Sequence, residues 1–323
     1  MKRIPLLLAL TLLVALLFLG SLAAGKIWVP FSAWFTQDPR WWIVVELRLP
    51  RAILGLAIGA ALGLTGAVLQ GYLRNPLADP SVVGVASSAA LGAVAAIVLL
   101  AASAPLVIFG SAMVAAAGAM LLLVLLAWRA EGAVTFILAG TVLASLTGAL
   151  TAFLISIAPN PYATAEIIDW IMGSLTDRSF AEAWLAVPCI AAGSALLLLT
   201  GRALDALTLG EEAARSLGIR LHRTQALVVL GAGLAVGASV AVTGVVGFVG
   251  LIVPHLLRPL VGARPSALLL PSALGGAALV LAADSLVRLA PGASEIRLGV
   301  AMALIGTPFF LALLLKLRRS AWI

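Results

Sequence analysis

The chain has 323 residues, 63% of them hydrophobic and 10% charged, with a formal net charge of +7. A water-soluble domain is nearer half apolar and a quarter charged, so a soluble globular fold is excluded, and long unbroken apolar runs without alternation exclude a transmembrane β-barrel. The Lys and Arg residues are scattered between the apolar runs, which argues against nucleic acid, and one cysteine (Cys189) with two histidines leaves no internal disulfide and no structural metal or haem-ligand set.

In chain order, ten apolar segments read as membrane spans: 5–24, 52–73, 82–101, 105–127, 133–157, 182–201, 224–243, 244–261, 266–287 and 298–315. The fold class expected is an all-α polytopic membrane protein, with one permease-like domain over 1–323. Lys2 and Arg3 precede the first run, and Ser21-Leu22-Ala23 resembles a cleavage site. The run is read as an uncleaved span, with a cleavable signal peptide as the alternative. Gly20, Gly25 and Lys26 mimic a phosphate loop, but Ile27 stands where Ser or Thr is needed, so nucleotide hydrolysis by this chain is not expected. The second run, 52–73, carries no charge and reaches about 33 Å as a helix. Gly55, Gly59, Gly63 and Gly66 share one face of it and predict a closely packed partner helix. The seventh and eighth runs are nearly continuous, which leaves their boundary weak.

Both termini are predicted on the cytoplasmic side, because the loops on that side then hold the larger share of the 20 Lys and Arg residues. Trp28, Trp34, Trp41, Trp42, Trp170 and Trp184 then fall at the outer interface, and Trp128 and Trp322 at the inner one. Residues 55–76 align without gaps on 233–254, pairing Gly55/Gly233, Gly59/Gly237, Thr65/Thr243, Gly66/Gly244 and Pro76/Pro254 among others. The two copies run in opposite directions, which predicts an inverted repeat with halves near 52–157 and 224–315.

Several residues stand out as functional candidates. Arg48 and Arg51 bracket Pro50 at the expected outer start of the second span, where a cation opposes the helix dipole; Arg288 ends the ninth span. Anchoring to lipid phosphate and docking of an acidic partner are both open for these arginines. Asp284 precedes Arg288 by one helical turn and predicts an ion pair; a proton-relay role is the alternative. The stretch Leu209–Arg220 reads as a short cytoplasmic helix, about 209–219, with Gly210 before Glu211 and Glu212, Arg215 later and Gly218 as its stop. It is either a solvated loop helix or a peg for a cytoplasmic partner. His255, in Val253–Pro259, is read as structural.

Taken together, RLPR at 48–51, GAALGLTGAVLQ at 59–70, NPLADP at 75–80, WIMGSL at 170–175, LGEEAARSLG at 209–218, GVVGFVGLIVPHLLRPLVG at 244–262, AD at 283–284 and GTPFFLALLLK at 306–316 resemble the FecCD family of ABC-importer permeases. The resemblance implies a type II ABC importer permease fold of ten helices in a bacterial inner membrane. It implies a homodimer with two cytoplasmic ABC ATPase subunits below and a periplasmic or lipoprotein substrate-binding protein above. It further implies that Arg48, Arg51 and Arg288 face that binding protein, and that Gly210, Glu211, Glu212, Ala214, Arg215, Leu217 and Gly218 form the coupling helix seated on an ATPase. The expected cargo is a bulky metal chelate, an iron-siderophore or haem, with cobalamin as the alternative. No cofactor, catalytic residue or metal ligand is expected. An ion-coupled secondary transporter is the competing class, and the near absence of ionisable groups at mid-span argues against it.

Overall fold

The computed structural model describes residues 3–127, 133–262, 264–291 and 295–320. Lys2, Trp128, Arg129 and Trp322 lie outside the described residues. The described chain is helical: α1 (Arg3–Ala23), α2 (Arg40–Trp42), α3 (Leu49–Tyr72), α4 (Val85–Leu100), α5 (Pro105–Ala127), α6 (Ala133–Ser156), α7 (Pro161–Ile171), α8 (Phe180–Leu198), α9 (Gly201–Leu207), α10 (Glu211–Ser216), α11 (Leu221–Thr243), α12 (Val249–Val261), α13 (Pro265–Leu289) and α14 (Leu298–Ser320). Among the described residues, 7 helical segments are long and apolar enough to cross a membrane, and Val85–Leu100, Val249–Val261 and Leu298–Leu313 are shorter apolar helices. The ten apolar segments read from the sequence are therefore all helical. The short helices α7, α9 and α10 lie between them.

The second span starts earlier than hydropathy suggests. Arg40–Tyr72 is one helix, with a π-helical stretch over Ile43–Arg48 just before Pro50. Proline has no N–H to give the preceding turn, and the wider π turn absorbs that loss, with Leu49 N–H reaching back to the Val44 carbonyl. Pro50 therefore does not open the helix. The dipole penalty expected for Arg48 and Arg51 at a helix N-terminus does not arise.

Helix α3 is the axis of the bundle and packs against α13, α8, α12, α11 and α9. Its glycine stripe serves two partners rather than one. An added Cβ at Gly59 would sit 2.4 Å from the Gly276 carbonyl oxygen, and one at Gly63 would sit 2.1 Å from that of Ser272, both on α13. At Gly66 the obstacle is the Gly250 carbonyl of α12, at 2.0 Å. Only glycine lets these backbones approach so closely, and such packing replaces the hydrophobic drive that lipid cannot supply.

Helix α11 ends at Thr243, whose carbonyl accepts the Ser174 N–H at 2.7 Å. Gly244 (φ +70°) and Phe248 (φ +67°) turn the chain before α12 begins, which settles the weak boundary. The sequence repeat thus parts in conformation at one pair: Gly66 continues a helix, while Gly244 ends one. Helices α3 and α11 do run in opposite directions. Helix α11 leaves α10 and ends near Ser174, which is linked through Thr176 and Glu295 to Arg51 at the start of α3. Helix α1 is an integral part of the bundle: Val14 is buried with Ala52, Ala277, Ala278 and Leu281.

Candidate functional site: a buried arginine cluster and an exposed helical peg

The three arginines picked out by the sequence converge at one end of the bundle, and all are buried: Arg48, Arg51 and Arg288 keep 5%, 8% and 3% of their surface. Buried guanidinium groups need acceptors, and the fold supplies them from two sources. The first is the C-terminus of α1, whose last carbonyls have no partner within their own helix. Arg48 donates to the carbonyls of Leu22 (3.0 Å), Ala23 (2.9 Å) and Ile27. Arg288 donates to those of Ser21 (3.0 Å) and Ala24 (3.1 Å) and to the Ser21 hydroxyl. Two cations therefore sit at the negative end of a helix, the favourable place for them.

The second source is carboxylate. Arg51 Nε and Nη2 reach Asp284 Oδ1 at 3.0 and 2.8 Å, and Nη2 also meets Glu295 Oε2 at 2.8 Å. Arg288 Nη2 lies 3.1 Å from Asp284 Oδ2, so the one-turn pair expected from the sequence forms. Asp284 is 1% exposed and neutralised from two sides, which is why a carboxylate survives inside an apolar helix. Thr176 Oγ1 donates to Glu295 at 3.1 Å and ties in the loop before α8. Burial alone would push the Glu295 carboxyl up; hydrogen bonds and charge from Arg51, then Thr176 and Arg288, outweigh it and hold the group below the usual carboxylate range.

Beside this network lies a cavity of about 230 Å³. Lys26, Arg48, Arg51, Arg178 and Arg288 line it, against Asp177 and Glu295 as its acidic side chains. Burial holds Arg178 below the usual arginine range, against the pull of Glu182 and Asp177. Sequence reasoning missed Ser21, Thr176 and Glu295. Ser21 enters the sequence only as part of a cleavage-like triplet, no local pattern marks Thr176, and Glu295 offers only a carboxylate in a loop on the expected outer side.

At the opposite end, α10 covers Glu211–Ser216. Gly210 precedes it at φ +101° and Gly218 follows at φ +81°, both in the left-handed region that favours glycine. Gly218 N–H bonds the Arg215 carbonyl at 2.9 Å and Ile219 N–H the Ala214 carbonyl at 3.0 Å, the paired bonds of a Schellman stop. Ala214 is fully buried against the bundle, while Glu212, Arg215 and Leu217 point outward and Leu217 is 64% exposed. Leu209 is exposed as well. Helix α9 beneath is fixed to α13 by Asp205, which accepts from Arg264 Nε (2.6 Å), Ser266 N–H (2.9 Å) and Ser266 Oγ (2.7 Å). The peg is thus short, rigidly mounted, and presents two leucines and mixed charge to whatever lies beyond.

Residues 12–316 match the family model described as the FecCD transport family. The chain belongs to the FecCD transport family. This FecCD protein is 42% identical over 281 residues to the cobalamin import system permease protein BtuC of Halobacterium salinarum, a match covering 84% of this chain and 73% of the relative. It is 36% identical over 320 residues to the hemin transport system permease protein HmuU of Yersinia pestis (96% and 95% covered). It is 38% identical over 317 residues to the vitamin B12 import system permease protein BtuC of Vibrio cholerae (96% and 93%). Its fold superposes on an inward-facing conformation of a metal-chelate type ABC transporter with a TM-score of 0.85, at 33% identity and with 97% and 99% of the chains covered. A second solved structure, PsaBC from Streptococcus pneumoniae in complex with Fab, shares the fold alone at 19% identity and a TM-score of 0.51.

Proposed function

We infer that this FecCD protein is the membrane-spanning permease subunit of an ATP-binding-cassette importer for a bulky metal chelate. The observation that carries this is the match to the FecCD model across residues 12–316, together with a backbone like that of a metal-chelate type ABC transporter over 97% of the chain. Two copies would form the path between them, and alternating access would move the cargo through it. The exposed apolar surface of α5, α6 and α14, including Leu121, Leu146 and Leu304, leaves room for both lipid and a second copy. The cargo is read as an iron chelate, siderophore or haem; relatives named for cobalamin import favour vitamin B12 as the second reading.

Energy would come from two ABC ATPases on the cytoplasmic side of a bacterial inner membrane, the side on which both termini would lie. Gly210, Glu211, Glu212, Ala214, Arg215, Leu217 and Gly218 would form the element seated on the ATPase. Support comes from the outward Leu217 and the buried Ala214, which let the helix pass a push into α9 and, through Asp205, into α13.

At the other end, a periplasmic or lipoprotein binding protein would dock at Arg48, Arg51 and Arg288. Their buried state changes what docking means. A partner carboxylate would enter the 230 Å³ cavity and meet its net positive field rather than a bare guanidinium.

The test is reconstitution in proteoliposomes with the cognate ATPase and binding protein, following uptake of ferric siderophore, haem and cobalamin separately. ATP-dependent uptake of one of them is expected. Uptake driven by a sodium or proton gradient without the ATPase would sink the reading.

A further inference from the structure

We propose that a cavity at the α10 end of the bundle binds the phosphodiester headgroup of an anionic phospholipid. The cavity is about 320 Å³ and lies between the last turn of α3, the end of α12 and the start of α13. Arg74, Arg258 and Arg264 line it, with Gln70 and Thr208, and no Asp or Glu is among its lining residues. Asp205 touches it only from behind, through Arg264, and both Asp205 oxygens are already bonded to Ser266.

The three arginines differ in how they are held. Arg258 Nη2 donates to Gln70 Oε1 at 2.6 Å, and Gln70 Nε2 in turn donates to the Gly250 carbonyl at 3.1 Å, so a buried amide fixes that guanidinium at the cavity wall. Arg74 follows the end of α3 at φ +49° and is exposed, and no hydrogen bond or ion pair holds its guanidinium among the described residues. Arg264 stands at the N-cap of α13, paired through Nε with Asp205, which also accepts the Ser266 N–H of the first turn, and its side chain is otherwise exposed at the cavity rim. The charge on this wall calls for an anion.

The remaining wall is apolar. Ala67, Pro76, Pro265 and Leu268 would stay wet under a fully hydrated ion, whereas the glycerol portion of a lipid would cover them. Depth agrees. Three apolar helices end at this level, which is where lipid phosphates lie. Basic pockets between spanning helices recognise such headgroups.

The experiment uses the full-length protein in detergent and reads lipid retention by native mass spectrometry, titrating phosphatidylglycerol against phosphatidylethanolamine. Preferential retention of phosphatidylglycerol is expected. Arg74→Asn, which removes the charge but tolerates the left-handed backbone, should weaken it about fivefold, and Arg264→Gln by a similar factor. Arg74→Lys should keep most of the preference. Equal retention of the two lipids, or no loss in either neutral variant, overturns the proposal. Displacement of the lipid by millimolar inorganic phosphate would also overturn it, because the site would then read a free anion. So would variants that keep the lipid preference but lose ATPase capture, which would assign the arginines to an acidic protein segment.

Discussion

Arg51 on α3 and Asp284 on α13, 233 residues apart in the chain, share a two-point ion pair with Arg51 Nε and Nη2 at 3.0 and 2.8 Å from Oδ1. The pair joins the two helices of the bundle that pack most extensively on each other, and Glu295 and Arg288 complete it. It fixes the register of the central helix pair with charge, and the small residues below fix it with shape.

Removing one partner should therefore be costly. Arg51→Leu leaves Asp284, 1% exposed, facing Arg288 alone. A loss of about 3–5 kcal/mol is expected from breaking a buried pair on one side. Arg51→Lys should recover only part of it, because an ammonium does not reproduce the planar two-point contact. Thermal unfolding of the detergent-solubilised variants checks both; a midpoint unchanged by Arg51→Leu would rule out a structural role for the pair.

The glycine face of α3 predicts a graded series. Gly63→Ala places a methyl 2.1 Å from the Ser272 carbonyl, and Gly66→Ala places one 2.0 Å from that of Gly250. Backbone must move in each, so folded yield should collapse. Gly110→Ala in α5 meets nothing within 4 Å and should be neutral or stabilising by about 0.5–1 kcal/mol. Monodispersity after extraction separates the cases.

Acid should loosen the arginine-cluster end. Glu295 is held below its ordinary pKa in the folded protein, chiefly by Arg51 acting against the cost of burial. A depressed folded value means the stabilisation is present above the unfolded carboxylate pKa, about 4.3, and is lost as pH falls through the lower folded value. Unfolding temperature should drop below about pH 4, and Glu295→Gln should be less stable at neutral pH but flatter across that window. Asp205 is depressed for a similar reason: Ser266 and Arg264 outweigh its burial. Its loss should add to the same acid limb.

The peg can be tested without deleting it. Leu217→Asp alters an exposed side chain and should leave folding intact while reducing co-purification of the ATPase. Gly218→Val strains a φ of +81° and breaks the Schellman stop, so it should cost about 1–2 kcal/mol of local stability and weaken capture as well. Full capture by both variants would remove α10 from the coupling role.

Much of the architecture was legible in the residues alone. Each run of apolar side chains long enough for a bilayer became a helix, since lipid leaves the backbone no other partner. Gly218 announced the end of α10, and the one-turn spacing of Asp284 and Arg288 announced their pair. Arg48, Arg51 and Arg288 stand out in the sequence as cations in an unusual place, but nothing in the sequence shows that all three are buried. Pro50 looked like a helix start, because proline favours the first turn; the π-helical stretch before it is a tertiary accommodation that no local rule supplies. Segments 55–76 and 233–254 run in opposite directions, yet Gly66 and Gly244 adopt different conformations because Gly66 faces the α12 backbone while Gly244 lies against the Trp170 carbonyl.

The sequence by itself determined that this is a membrane-spanning helical protein of the FecCD type, with its spans, the short helix α10 and its unusual arginines. Those features depend on composition and on contacts a turn or so apart, which the chain order preserves. Only the tertiary structure decided what the arginines hold. Arg48 and Arg288 end on the carbonyls that α1 leaves unpaired, and Arg51 ends on Asp284 and Glu295. The carbonyl acceptors are created when α1 stops in the right place, 26 residues from Arg48 and 267 from Arg288, and a helix end has no side-chain signature that would announce it.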